Sequence, residues 1–132
     1  MIQQTLADSC IWIDFAQGKN TEEVLYFEEL AREKLLYTCG LIKAEFIPFI
    51  QDKKIQKKVE RLFTVVNYLE DPETLWEKVI SYQNILVKKG HKSSIPDLIL
   101  STISIHYNIP LLTRDAYFKT FSNIIPLRLI TF

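Results

Sequence analysis

Ile109-Pro110-Leu111-Leu112-Thr113-Arg114-Asp115 is a short β-prone run that ends in a carboxylate, and Met1-Ile2-Gln3-Gln4-Thr5-Leu6-Ala7-Asp8 has the same form at the other end of the chain. Between them, strand-like runs alternate with helical patterns. Parallel strands need crossover connections, so this alternation predicts an α/β fold: a three-layer α/β/α domain with a central parallel sheet. In such sheets ligands bind beyond the carboxyl ends of the strands, where strand order reverses. Asp8 and Asp115 each fall just past a predicted strand, which makes them the first candidate site residues.

Working inward from these ends, residues 1–7 read as the first strand and residues 11–16 as a helix that Gly18 ends. Asn20 with Glu23 is a helix-start signal, and Val24, Phe27, Leu30 and Ala31 keep helical spacing. Residues 35–38 read as a strand stopped by Gly40, and 41–50 as a helix carrying Glu45. Residues 53–62 are amphipathic, with Ile55, Val59 and Leu62 on one side and Lys54, Lys57, Lys58 and Arg61 on the other. Residues 64–68 are β-prone. Asp71-Pro72 supplies a cap and a first-turn proline for a helix through Trp76, Val79, Ile80 and Leu86, which Gly90 ends. Pro96 opens a helix to Tyr107 with Asp97 in its first turn, where the helix dipole favours a negative charge. Residues 109–113 and 127–131 are the two expected closing strands.

Composition sets outer bounds. With 132 residues, 48% of them hydrophobic, the chain can bury one core, and residues 1–132 read as a single domain. Sixteen Lys plus Arg balance 16 Asp plus Glu, so net charge gives no basic signature of nucleic-acid binding. A metal ion neutralising four of the carboxylates would leave a surplus of about four positive charges, compatible with weak attraction to phosphate. The first eight residues lack a positive region and meet a carboxylate early, unlike a signal peptide. Asp97, His106 and Asn108 interrupt the most apolar region, residues 95–112, which argues against a membrane span. The expectation is therefore a cytoplasmic protein. Cys10 and Cys39 are too few and too far apart for a disulfide framework or a Cys-rich zinc site, and read as reduced packing residues.

Ala7-Asp8-Ser9-Cys10-Ile11-Trp12-Ile13-Asp14, Ala44-Glu45-Phe46, Ile95-Pro96-Asp97-Leu98-Ile99 and Leu111-Leu112-Thr113-Arg114-Asp115-Ala116-Tyr117-Phe118 resemble, in order and spacing, the motifs of PIN-domain ribonucleases. The similarity is strongest to VapC-type toxins of bacterial toxin–antitoxin pairs, and it spans essentially the whole chain. It implies that Asp8, Glu45, Asp97 and Asp115 surround Mg2+ or Mn2+. Hard divalent cations prefer oxygen ligands, and such an ion both activates water and offsets charge on an attacked phosphate. Singly, each acid reads better as a cap, a first-turn charge or a solvated helix residue. The ordered set favours the metal site.

Ser9 and Thr113 flank the acids and, by the same resemblance, orient a carboxylate or a water; the alternative for each is a plain capping role. Arg114 either touches substrate phosphate or pairs with a carboxylate. Lys92, in the cluster Lys88, Lys89, His91 and Lys92 ahead of the Asp97 motif, is a second candidate RNA contact. Asp14 is kept outside the site in a structural or surface role. Lys54, Lys57, Lys58 and Arg61 read as a solvated face, with an RNA-contacting stripe as the alternative. Trp12, Phe15, Phe27, Phe46, Trp76 and Phe118 are expected to be core or interface anchors. His91 and His106 have no metal-ligand partner at helical spacing.

The resemblance implies a metal-dependent endoribonuclease toxin that acts on RNA, forms a homodimer and is restrained by a VapB-like antitoxin, with no membrane partner. A housekeeping RNA-processing nuclease and a catalytically silent binding module of the same fold are the alternatives. An aspartate-nucleophile phosphoryl-transfer enzyme is disfavoured, because Cys10 stands two residues after Asp8, where a second Asp would be needed.

Overall fold

The computed structural model describes residues 2–132; Met1, expected to open the first strand, lies outside the described residues. In chain order the elements are β1 (Thr5–Ala7), α1 (Ser9–Ala16), α2 (Glu22–Arg32), β2 (Leu36–Cys39), α3 (Gly40–Phe46), a 3-10 turn (Ile47–Phe49), α4 (Lys53–Phe63), β3 (Asn67–Leu69), α5 (Leu75–Lys88), α6 (Ile95–Tyr107), β4 (Leu111–Leu112) and α7 (Tyr117–Ser122). The four strands form one sheet in the order β3-β2-β1-β4, and every pairing is parallel. Chain direction across this sheet decides the layers. The steps from β1 to β2 to β3 run one way and the step from β3 to β4 runs back, so right-handed crossovers put α1–α4 on one face and α5–α6 on the other. Accordingly α1 packs on α2 and α3, and α5 packs along α6. The predicted three-layer α/β/α architecture is the observed one, and strand order reverses between β1 and β4.

Several boundaries differ from expectation, each for a local reason. The expected helix over 41–50 ends at Phe46, because Pro48 supplies no N–H for the α-ladder and the chain tightens into the 3-10 turn. Gly40 does not stop β2 from outside; it opens α3, at a point where a Cβ would lie 3.0 Å from the Tyr68 hydroxyl. Thr21, not Asn20, caps α2, its Oγ1 accepting the Val24 N–H at 3.2 Å. Residues 71–74 form a turn in which the Pro72 carbonyl accepts the Leu75 N–H, so α5 begins at Leu75 and not at the Asp71-Pro72 pair. The strand expected over 127–131 reduces to one parallel bridge, Leu111 to Leu129. Here β4 is the limit: the carbonyls of Pro110 and Leu112 face β1, which leaves only Leu111 to bond the C-terminal segment.

The core is apolar on both sides of the sheet and is densest around Trp12, which has no solvent exposure. Its ring meets Phe27 edge-on at 4.8 Å, stacks on Phe63 at 4.5 Å and lies 5.8 Å from Phe46. These three contacts tie α1 to α2, α3 and α4. Phe15, Phe27, Phe46 and Phe118 are buried as expected, but Trp76 is 58% exposed, because Leu75 and Val79 take the inward face of α5. Cys39 is buried, Cys10 is half-buried, and both are free thiols. Among the described residues no helix is long and apolar enough to cross a membrane.

Trp12→Ala should cost about 3–5 kcal/mol in urea unfolding, the range for truncating a buried aromatic. Trp12→Phe should cost clearly less, because the Trp12 Nε1 has no hydrogen-bond partner in the structure to lose.

Candidate active site

The site starts at the reversal point of the sheet. Ala7 pairs with Leu112, and the Asp8 N–H donates to the Leu112 carbonyl at 2.9 Å, so β1 and β4 end side by side. Asp8 leaves the strand with extended backbone and caps α1, its Oδ1 accepting the Ser9 N–H at 2.7 Å. Its other oxygen accepts from the Thr113 hydroxyl at 2.8 Å. The same Thr113 oxygen accepts the Asp115 N–H at 3.0 Å, so one hydroxyl couples the two strand-end acids. Asp115 in turn accepts the Tyr117 N–H at 3.0 Å and caps the approach to α7. Asp8 is buried and Asp115 is exposed. Around Asp8, the Ser9 hydroxyl stands 3.4 Å from Oδ1 and the Cys10 thiol 3.5 Å from Oδ2. Burial, and then the charge of Asp8, push that thiol up to about 11, which keeps its proton in place to be donated.

Glu45 and Asp97 stand on helices, each within the electrostatic reach of Asp8. Glu45 lies on α3, which packs against both α1 and α6, and Asp97 lies in the first turn of α6 behind a Ser94 cap. Burial raises the Glu45 carboxyl above its usual range, and the charges of Asp8 and then Asp97 raise it further against an opposing Ser9 side chain. Burial likewise raises Asp97, opposed by Ser94 and reinforced by Asp115 and Asp8. The mutual influence links all four acids into one electrostatic unit, each within the field of at least one other. The two ion pairs among the described residues both involve Asp14, so none of the four acids has a cationic partner. No three His, Cys, Asp or Glu side chains among the described residues form a ready-made ligand cluster.

Asp14, expected to lie outside the site, is the anchor of its neighbour. It is 1% exposed and accepts two hydrogen bonds from Arg114, from Nε at 2.7 Å and Nη2 at 3.1 Å, with Lys19 Nζ a further 3.1 Å away. Of the two alternatives for Arg114, the geometry shows the carboxylate pair: both facing donors are taken by Asp14. That pair fastens the segment Thr113–Asp115 to α1. Its signal in the sequence is an acid set among Ile11, Trp12, Ile13 and Phe15, in a helix otherwise almost wholly apolar. Lys92 is exposed in the α5–α6 connection, without an ion pair among the described residues. His91 is exposed, and His106 lies with its Nδ1 2.8 Å from Lys78 Nζ between α5 and α6.

Two outcomes follow from these charges. The Arg114 hydrogen bonds hold the Asp14 carboxyl below the usual range, so the pair stabilises the fold at neutral pH and that stability is lost as pH falls through the depressed value. Asp14→Ala should therefore lose roughly 2 kcal/mol at pH 7 in urea unfolding, the scale of hydrogen bonds to a charged group. The difference from wild type should shrink in acid. Asp97 has the opposite sign: with its carboxyl raised, the folded state loses stability as pH rises from the usual carboxylate range through the raised value. Asp97→Asn should consequently melt at a higher temperature than wild type at pH 7 in chelator, as read by calorimetry.

Residues 5–123 match the model of the PIN domain. The chain is 30% identical over 95 residues to Ribonuclease VapC21 of Mycobacterium tuberculosis, an alignment that covers 70% of this chain and 69% of that protein. By fold it is similar to VapBC2 from Rickettsia felis bound to a DNA fragment from their promoter, with a TM-score of 0.78 at 17% identity over 97% of this chain and 98% of the other. It is also similar to DNA-bound VapBC from Salmonella typhimurium, with a TM-score of 0.75 at 13% identity over 98% of each chain. With the fold, the strand-end acids and the family match over residues 5–123 in agreement, this chain belongs to the PIN-domain family, among the relatives of the VapC ribonucleases.

Proposed function

We propose that this chain is the ribonuclease toxin of a VapBC-like toxin–antitoxin pair, a single-domain, cytoplasmic endoribonuclease that hydrolyses RNA phosphodiester bonds with Mg2+ or Mn2+. What supports the reading is that Asp8, Glu45, Asp97 and Asp115 act on one another electrostatically while none of them makes an ion pair among the described residues. The donor set fits a hard, hydrated cation. All four donors are carboxylates, their mutual repulsion is relieved by positive charge, and Mg2+ takes few carboxylates directly while keeping several waters. Bound there, the cation would supply an activated water and offset charge on the attacked phosphate.

The chain's own side chains have distinct tasks in this reading. Asp8 is held as an acceptor by the Ser9 N–H and the Thr113 hydroxyl, and Thr113 ties it to the backbone N–H of Asp115. Ser9 and Thr113 thus orient the acids. Glu45 and Asp97, both raised by burial and by neighbouring carboxylates, would be relieved by the arrival of a cation. A VapB-like antitoxin as inhibitor and a homodimer as the working assembly are supported by family membership.

Purified wild type should degrade total cellular RNA with Mg2+ or Mn2+ and stop with chelator, while Asp8→Asn and Asp97→Asn should be inactive with either metal. Cleavage that survives both substitutions and chelation would overturn the metal site. Thr113→Val should lower cation affinity about 10- to 100-fold in titration calorimetry, as removal of a residue that orients a ligand does. Induced expression should arrest growth, and co-expression of an adjacent small gene product should relieve it; unimpeded growth would remove the toxin assignment.

A further inference from the structure

Asp115 borders a pocket of about 400 Å3 that the chemistry above does not use. That volume falls within the roughly 300–1,000 Å3 of small-molecule sites. Glu22 and Glu23 line it from the first turn of α2, while Arg114 and Lys119 line it from the segment after β4 and from α7. Ile130 and Phe132 add apolar wall, and the Phe132 ring rests edge-on against Tyr26 at 5.6 Å.

Opposite charges that share one pocket ordinarily pair across it, yet the two ion pairs among the described residues are those of Lys19 and Arg114 with Asp14. Glu22, Glu23 and Lys119 are in neither. Arg114 is held away from the glutamates because its Nε and Nη2 are fastened to Asp14, which leaves Nη1 without a hydrogen-bond partner among the described residues. At the start of α2 the Thr21 hydroxyl supplies the cap, so neither glutamate side chain is needed to satisfy the helix end. The pocket therefore combines two carboxylates, two cationic side chains and an apolar wall, with the charges uncommitted to one another.

We infer that this pocket reads a guanine of the RNA next to the cleaved bond, Glu22 and Glu23 accepting its N1–H and N2–H2 donors while Lys119 and the Arg114 Nη1 hold the adjoining phosphate. The inference rests on the ribonuclease reading and adds a base preference to it. Hydrogen-bond chemistry selects the base. A carboxylate only accepts, and guanine alone among the RNA bases carries two donors side by side on its Watson–Crick edge. Adenine and cytosine set an acceptor beside their amino group, and uracil holds its single N–H between two carbonyls. A protein arginine also presents paired donors, but it would meet the charges of Lys119 and Arg114, whereas a nucleotide brings a phosphate to them. Asp115 lines the pocket and belongs to the acidic set as well, which puts the base read there beside the scissile phosphate.

The test gives the full-length protein, with Mg2+ or Mn2+, a pool of oligoribonucleotides of random sequence and reads the cut sites by sequencing. Wild type should cut with guanine enriched at one fixed position beside the cleaved bond. Glu22→Gln and Glu23→Gln, made singly and together, should lower kcat/KM for a guanine-bearing substrate about 5- to 150-fold, the discrimination that one bidentate base contact supplies. Preference should move toward adenine, whose amino group and neighbouring acceptor match a side-chain amide. Inosine at that position, which lacks the N2 amino group, should slow wild type and leave the double variant unaffected. Lys119→Gln should raise KM for all sequences alike and keep the guanine preference. Circular dichroism of each variant separates loss of fold from loss of a contact. A guanine preference that survives the double substitution would overturn the inference. So would variants that keep the wild-type cut sites but lose affinity for an arginine-rich peptide, since the pocket would then belong to a protein partner. Wild-type cleavage with no base preference at any fixed position defeats this inference alone, whereas absence of any RNA cleavage defeats the ribonuclease reading and this inference with it.

Discussion

The hydroxyl of Thr113 sits between two carboxylate segments that electrostatics would drive apart. It donates to Asp8 Oδ2 at 2.8 Å and accepts the Asp115 N–H at 3.0 Å, and these bonds exist only because β1 and β4 run parallel and end together. The rest of the molecule serves that juncture. Sheet order puts the first and last strands side by side, the reversal of chain direction leaves a crevice above them, and α1 starts directly from the acid that ends β1. A fold with β4 elsewhere in the sheet would leave Asp115 without a neighbour.

Concentrating negative charge in one place costs stability, and the structure offsets it at a distance from the chemistry. Asp14 is buried about 1.7 turns along α1 from Asp8, where Arg114 and Lys19 neutralise it. The Arg114 fork uses planar geometry to fasten the segment that carries Thr113 and Asp115, a task that a lysine would do less well. Glu45 and Asp97, by contrast, stay unneutralised and raised. Strain of this kind is common at functional sites, where affinity for a charged ligand is stored as repulsion in its absence.

Aromatic packing sets the position of the helices that bring in the third acid. Trp12 contacts Phe27, Phe46 and Phe63, so the helix that begins at Asp8 is locked against the helix that carries Glu45. Pro48 then ends that helix early and turns Phe49 outward. Core and surface are thus built from opposite sides of the same short segment. The distribution of cations follows a similar division, with α4 turning Val59 inward and its lysines outward.

Alternation of strand-like and helical runs is enough to predict the parallel three-layer fold, because hydrophobic periodicity is local and parallel strands dictate crossovers. Asp8 and Asp115 are legible for the same reason, since each follows a strand. Glu45 and Asp97 are expected through family resemblance, because spacing along separate helices says nothing of where those helices pack. Boundaries at Gly40, Pro72 and residues 127–131 escape local signals, being decided by which backbone groups the neighbouring strand or turn leaves available. The role of Arg114 needed the folded chain: its partner Asp14 lies 100 residues away. The order of residues alone dictates which side chains can carry charge to the strand ends. The packing of α1 against the end of β4 decides which of those charges are used by the fold and which stay unpaired, because pairing depends on proximity in space.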